Sequence, residues 1–274
     1  MSNIADREYD FICKLVYEHS RINLGDGKKE LVTARLGKRL RVLDIPTYKD
    51  YCDFLQTPKG EEELTHLIDS ISTNHTFFFR EFKHFEFLQQ TVLPHFAPKT
   101  QSQGSFKVWS AASSSGEEPY SIAISLSDYF AAMSGWKWTL DATDISTKIL
   151  AKAKEGIFAE DRVKEVPQET LRKYFQKGTG KWDGCFKVKE DLISRVKFTH
   201  LNLLGPAYPF TEKFQLIFCR NVMIYFDRPT QEQLVRRLSD CLVSGGYLFV
   251  GHSESLTGIK HPLKTIKPAI YQKP

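Results

Sequence analysis

The sequence predicts an α/β protein whose first third is helical. Three observations carry that reading. Apolar residues up to position 71 recur mainly at helical spacing. From Phe106 onward, short apolar runs alternate with helical stretches, the pattern of a parallel sheet with crossover helices. At the head of that half, FKVWSAASSSGEEPYSIAIS (106–125) opens as a buried strand, breaks at small residues and restarts as a helix. An α/β protein holds a phosphate or a charged small molecule at such a turn.

The 274 residues suffice for two modest domains or one large one. Apolar content of 41% with 26% charged residues is that of a soluble globular chain. A net charge of +5 is too weak to predict a nucleic-acid partner. The five cysteines (Cys13, Cys52, Cys185, Cys219, Cys241) are odd in number and contain no C-x-x-C pair, so a reducing cytoplasm is expected. The opening MSNIADREYDF has no apolar signal core, and no run approaches the roughly 18 apolar residues of a membrane span, so no membrane insertion is expected.

A first helix is predicted over 4–20 from Ile4, Tyr9, Ile12, Leu15, Val16 and His19, capped by Asp6 or Ser2. After a turn at Leu24–Gly27, a second runs from Lys28 to Leu43. Lys28, Arg35 and Arg39 fall on one stripe, beside an apolar stripe of Val32, Leu36, Leu40 and Leu43. Between Lys28 and Arg41 stand six basic residues and one acid, Glu30. Such a face is either simply solvated or a docking surface for an acidic partner. Nucleic acid fits less well, because no aromatics are interleaved for stacking. Helices over 48–55 and 61–71 complete a helical domain placed at 1–75, the latter with acids in its first turn.

The segment STNHTFFFRE (72–81) joins the halves. Phe77 to Phe79 read as glue between domains. Asn74, Thr76 and Arg80 are spaced to face one ligand, with Arg80 the natural clamp for a carboxylate. A helix over 82–93 is expected to stop at Pro94. His84 and His95 have no spaced partners, so no metal site is predicted. The polar stretch 97–105 closes a linker segment placed at 76–105.

In the second half, Lys107–Ala111 is the first strand, 112–116 the turn and 117–133 the helix. The turn is neither G-x-G-x-x-G nor a Walker loop. Glu117 and Glu118 at the helix start would repel a pyrophosphate and welcome a cation or ribose hydroxyls. Strand 138–142 ends at Asp144, where an acid commonly accepts from a ribose. A helix over 146–153 follows, then turn-rich sequence between Arg162 and Lys189, and a strand at 194–200. Strand 214–219 is nearly all apolar, with Arg220 and Asn221 at its C-terminal end and Tyr225 beyond. A helix over 230–242, a turn at Gly245-Gly246, a strand at 247–250 and an edge strand within 264–273 complete the chain.

These motifs add up to a resemblance. N-H-T-F-F-F-R-E, W-S-A-A-S-S-S-G-E-E-P-Y-S-I-A, A-T-D-I-S, F-C-R-N-V-M-I-Y-F and G-H-S-E-S-L occur in this order. Together they resemble the chemotaxis receptor glutamate O-methyltransferases over nearly the whole chain. One departure is Ser113, where relatives often carry Cys or Gly, both also small. The resemblance implies a Rossmann-like class I methyltransferase domain at 106–274 with a small antiparallel β insert at about 172–196. It implies S-adenosylmethionine as cofactor, S-adenosylhomocysteine as product, and receptor glutamates as substrate. Asn74, Thr76, Arg80, Ala111, Glu117, Asp144, Asn202, Leu203, Arg220 and Asn221 are the expected cofactor contacts. Arg80 and Tyr225 are expected at the transferring methyl. Lys28, Arg35, Lys38, Arg39 and Arg41 become the expected docking face for methyl-accepting receptors, and the insert a possible grip for a receptor C-terminal peptide. The enzyme is then expected in the cytoplasm, recruited to membrane receptor arrays. The alternatives are a non-catalytic adaptor that binds the same cofactor, and a methyltransferase for nucleic acid. Against the latter, C-R-N-V stands where amino-group methyltransferases carry N/D-P-P-Y/F.

Overall fold

A computed structural model describes residues 3–98 and 100–274. Helices α1 (Asp6–Ser20), α2 (Lys29–Leu43), α3 (Tyr48–Leu55) and α4 (Gly60–Ile71) form the N-terminal domain. Their apolar stripes meet in one core in which Ile12, Val16, Val32, Leu36, Leu40, Tyr51 and Leu67 are fully buried. Ala5 occupies the cap position of α1 without a side-chain hydrogen bond. Asp6 lies inside the helix and pairs with Lys29, while Ser2 is outside the described residues. Thr47 caps α3 by accepting from the Asp50 amide at 3.1 Å.

The basic stripe of α2 is not uniformly solvated. Arg39 binds Glu63 of α4 bidentately, Nε at 2.7 Å and Nη2 at 2.5 Å, and the Tyr51 hydroxyl donates to the same carboxylate at 2.9 Å. Arg35 donates to the Ile71 and Ser72 carbonyls at the end of α4. These two arginines are struts of the helical domain, whereas Lys38 and Arg41 are exposed.

After the joining segment, α5 (Lys83–Phe87), a π-helical turn (Leu88–Val92) and α6 (Leu93–Phe96) form a continuous run. Pro94 therefore does not stop the helix. The wider turn before it removes the demand for the i→i−4 bond that proline cannot donate. Of the three phenylalanines only Phe78 is fully buried. It packs edge-on against Phe158 (4.9 Å) and Phe175 (5.5 Å) of the C-terminal half, not against the helical domain, and Phe77 is exposed.

The C-terminal half continues with β1 (Gly104–Ala111), α7 (Glu117–Phe130), β2 (Trp136–Asp144), α8 (Thr147–Glu155), β3 (Ile157–Ala159), α9 (Glu160–Val163), α10 (Gln168–Tyr174), β4 (Phe175–Lys177) and β5 (Cys185–Val188). Then come α11 (Glu190–Ile193), β6 (Val196–His200), β7 (Phe214–Cys219), α12 (Arg228–Asp240), β8 (Leu242–Phe249), β9 (Lys264–Lys267) and β10 (Ile270–Gln272). The seven-stranded sheet has the order β6-β2-β1-β7-β8-β10-β9. Its five leftmost strands are parallel, and β10 runs antiparallel to both neighbours. The chain leaves β1 to one side for β2 and later returns to its other side as β7. That order reversal opens a crevice beyond the C-terminal ends of β1 and β7.

Two details differ from expectation. Gly245 and Gly246 lie within β8 as an irregularity, not a turn, and the register against β7 shifts there. Gly245 has φ of 75°, a conformation glycine adopts without strain. The antiparallel insert has the order β3-β5-β4 and so draws in Ile157–Ala159, upstream of the 172–196 span. Three residues cannot announce a strand by alternation, so β3 had no sequence signal.

Because Glu63 is buried, removing its guanidinium partner strands a charge. Arg39→Ala is expected to cost about 3 kcal/mol of stability, read as a lower urea midpoint. A midpoint equal to wild type would refute the strut.

Candidate active site

The crevice is roofed by the helical domain. Its walls bring together Asn74, Thr76 and Arg80 from the joining segment, Ser113, Ser114 and Glu118 from the turn after β1, and Asp144 and Ile145 after β2. Asn202 and Leu203 after β6, and Arg220, Asn221 and Tyr225 after β7, complete the sheet side. Ser20, Ile22, Leu24, Lys28 and Leu31 face them from the helical domain. Nine of the eleven residues expected at the cofactor or the methyl thus line one cavity: Asn74, Thr76, Arg80, Asp144, Asn202, Leu203, Arg220, Asn221 and Tyr225. Ala111 is the buried last residue of β1, and its neighbour Ala112 is the one that lines the cavity.

The turn at 112–116 is shaped by backbone conformation. Ala112 (φ 64°), Ser114 (φ 51°) and Gly116 (φ 102°) are all left-handed. Gly116 lacks the Cβ that makes this conformation costly, while Ser114 is held in it by the bond from its amide to Asp144. The paired acids after it part company. Glu117 is 1% exposed and does not line the cavity. Arg162 of α9 binds it, and the Ser115 hydroxyl donates to it at 2.5 Å. Glu118 lines the cavity, accepting from the Ser110 hydroxyl at 2.8 Å and from Arg220 at 2.9 Å. Burial pushes the Glu118 carboxyl above its usual range, while Arg220 pulls it back.

Asp144 is held differently. Its two oxygens accept from the Ser114 and Ser146 amides, each at 2.9 Å, and among the described residues no basic side chain pairs with it. Burial raises its pKa against those hydrogen bonds. It is the acid of the cavity without an ionic partner. The Ser113 hydroxyl, also buried in the wall, has no partner.

Several side chains are committed to the protein itself. Arg220 is 5% exposed; besides Glu118 it binds Glu81 at 3.0 Å and the Arg80 carbonyl at 2.5 Å. The Asn202 amide donates to the His19 carbonyl at 2.8 Å and accepts from the Leu204 amide at 2.9 Å, bridging to α1. Arg80 donates to the His75 carbonyl at 2.9 Å and lies over the Phe77 ring. Lys28 sits 5.2 Å from the Tyr225 ring centroid, at the cavity and away from the exposed face of α2.

Sequence comparison places this geometry. The model described as the CheR methyltransferase SAM-binding domain matches residues 74–271, and that of the CheR all-alpha domain matches 7–72. The chain belongs to the CheR methyltransferase family. It is 43% identical to the chemotaxis protein methyltransferase of Borreliella burgdorferi over 99% of this chain and 95% of the relative. Against the Salmonella typhimurium protein of that name the identity is 39%, over 93% and 86%, and against the Escherichia coli one 38%, over 94% and 87%. The chain is an S-adenosylmethionine-dependent methyltransferase with the two-part architecture of this CheR family. No helix among the described residues is long and apolar enough to cross a membrane.

Two functional supports escaped sequence reasoning. Arg162 ties Glu117 and the Thr76 carbonyl (2.8 Å) together, joining the β insert to the cavity wall. Nothing in its neighbourhood singled it out. Glu254 is 6% exposed and accepts from four amides: Gly251 (2.7 Å), Asn221 (2.6 Å), Met223 (2.7 Å) and Ile224 (3.3 Å). It thereby fixes the loop that carries Tyr225. The signal was present in G-H-S-E-S-L as an acid between small and polar residues at a strand end, but its target was distant. Burial pushes the Glu254 carboxyl up, and the four donors offset the effect.

Glu254→Gln turns one acceptor oxygen into a donor against these amides. It is expected to cost about 2 kcal/mol, lowering Tm together with methyl-transfer rate; unchanged Tm and rate would show that the loop holds itself.

Proposed function

We propose that this protein transfers the methyl group of S-adenosylmethionine to glutamate carboxylates of chemoreceptors, giving methyl esters, with S-adenosylhomocysteine as product. The observation that supports this best is the meeting of Arg80, Asp144 and Tyr225, from three distant parts of a chain of this family, in one interdomain cavity.

The residues present fit the cofactor. Asp144, without a basic partner, suits ribose hydroxyls and leaves negative charge for a cation; Ile145 and Leu203 offer apolar surface for a base; and the unpartnered Ser113 hydroxyl suits a polar ligand atom. Arg80 is the candidate clamp for the cofactor's carboxylate. When bound, S-adenosylmethionine supplies an electrophilic methyl group. Asn202 is fixed at the cavity wall by one bond to each side-chain group, which leaves one amide hydrogen and one oxygen lone pair for the adenine edge.

A substrate glutamate with an ordinary pKa near 4.3 is already ionised at neutral pH. The protein therefore needs to remove no proton. Its work is orientation, which saves on the order of 7–11 kcal/mol for aligned reactants, and exclusion of water from the nucleophile. Tyr225, braced by the Asn23 amide on its carbonyl at 2.8 Å, positions the carboxylate. Arg80 stays a positioning or cofactor-holding group, since a tight ion pair with the nucleophile would blunt it.

The acidic methylation region of a receptor docks on α2, through Lys38 and Arg41, with Lys28 at the cavity itself. Arg35 and Arg39 support that face from beneath. An open edge of the β insert suits a receptor C-terminal peptide as an added strand. The enzyme then works in the cytoplasm at receptor arrays.

Incubation with labelled S-adenosylmethionine and receptor membranes is expected to give alkali-labile label on receptor glutamate. Label confined to nucleic acid or amines would reject the reading. The double charge reversal K38E/R41E is expected to lower receptor methylation at least about tenfold with cofactor binding unchanged. Wild-type methylation by that variant would remove α2 from the docking surface.

A further inference from the structure

Spacing in the sequence leaves His84 without metal-ligand partners, but the fold supplies them. Glu81 and His84 start the run into α5, and His252 follows β8. One ligand atom from each lies within 4.8 Å of the other two. His84 Nδ1 is 3.5 Å and His252 Nε2 is 3.9 Å from the same oxygen, Glu81 Oε2. Ligand atoms about a metal ion with bonds of 2.0–2.2 Å sit about 3.4 Å apart in tetrahedral geometry. Small side-chain adjustments separate the observed triad from that arrangement.

A second observation points to a ligand. His84 is 1% exposed, and neither ring nitrogen has a hydrogen-bond partner. A buried imidazole left this way forfeits a hydrogen bond at each nitrogen unless something occupies the space beside it. Its ring is fixed by Phe249, at 5.1 Å between centroids, and by His252 at 4.9 Å. His252 is half exposed, so an ion has a path from solvent and a position left for water. Glu81 is oriented by supporting bonds of the kind that steady a ligating carboxylate: Arg220 Nη2 lies 3.0 Å from Oε2, and the His252 amide donates to Oε1 at 3.1 Å. Glu118 offsets the Arg220 charge that would otherwise oppose a cation.

We propose that Glu81, His84 and His252 form a binding site for one divalent transition-metal ion of the zinc class, separate from the S-adenosylmethionine cavity. None of the three lines that cavity. Two histidines and one carboxylate are a donor set that zinc accepts. The ion would tie the joining segment, which carries Arg80, to the loop after β8, which carries Glu254. Its occupancy would therefore stiffen the frame of the active site without entering the reaction.

The test is calorimetric titration of Zn2+ into the full chain and into its His252→Ala variant, in which the exposed ligand is lost and the fold kept. Wild type is expected to bind one ion per chain at least about tenfold more tightly than the variant, and Zn2+ is expected to raise Tm in wild type only. His84→Asn, which keeps a polar group in the buried position, is expected to lose the ion as well. The free cysteines are common to all three proteins and cancel in the comparison. Equal titrations for wild type and His252→Ala overturn the proposal, as does a wild type that takes up no ion in one-to-one ratio.

Discussion

The guanidinium of Arg220 joins three parts of the chain at one buried point. It projects from the end of β7 and binds Glu118 in the first turn of α7, Glu81 after the triple phenylalanine, and the Arg80 carbonyl. Taking such a charge out of water costs several kcal/mol and is offset only by well-placed partners. Two carboxylates and a carbonyl meet that requirement. The arrangement also explains how an irregular segment holds left-handed backbone at Phe79 (φ 55°) and Glu81 (φ 57°). The Phe79 amide donates to Ser121 at 2.8 Å, and Phe78 is locked among aromatic rings. Asn74, Thr76 and Arg80 thereby reach the crevice from a segment with no sheet or helix of its own. Arg220 is best understood as the frame of the site, with most of its donors engaged by protein oxygens.

Closure of the cavity depends on the helical domain. The Tyr17 hydroxyl donates to Asp227 at 2.5 Å, Asn23 bonds the Tyr225 carbonyl, and Asn202 bonds His19. All three contacts fall on loops that follow β6 and β7, the loops that carry Leu203 and Tyr225. The domain that is proposed to meet the receptor is thus in direct contact with the residues proposed to meet its glutamate. Asp227 is shared between two tasks: it caps α12 through the Thr230 amide at 3.0 Å and anchors Tyr17. Hydrogen bonds from Thr230 and then Tyr17 hold its carboxyl below the usual range.

The order of elements was legible because long amphipathic helices and apolar strands carry strong periodic signals. Tyr48–Leu55 and Phe214–Cys219 coincide with their predicted spans. That Asn74, Thr76, Asp144 and Tyr225 would face one crevice was legible because motifs and strand ends mark them. Elements governed by tertiary context were not. The π turn that carries the helix past Pro94, the bulge at Gly245 and the three-residue β3 have no local signature. Side-chain partners across the chain were equally hidden: Arg39 with Glu63, Arg162 with Glu117, and Glu254 with the distant amides of Asn221, Met223 and Ile224. Such pairings are set by topology, and charge counting along one helix cannot separate a strut from a docking residue.

The same hidden pairings alter the electrostatic reading of the cavity. Two acids at a helix start suggest a strongly negative cradle. In the fold, Glu117 is matched by Arg162 and Glu118 by Arg220, so their net field is small beyond a few ångströms. Asp144, buried and without a basic partner, is left as the concentrated negative charge. Arg80 and Lys28 are only half buried and lie on other walls of the cavity. A deep acid and shallower bases give the cavity polarity. A cationic ligand is drawn to the acid, and an anionic side chain is met by positive charge as it enters. Methylation of a carboxylate by a sulfonium requires both signs in one site, and burying the acid while leaving the bases partly solvated keeps them from neutralising each other.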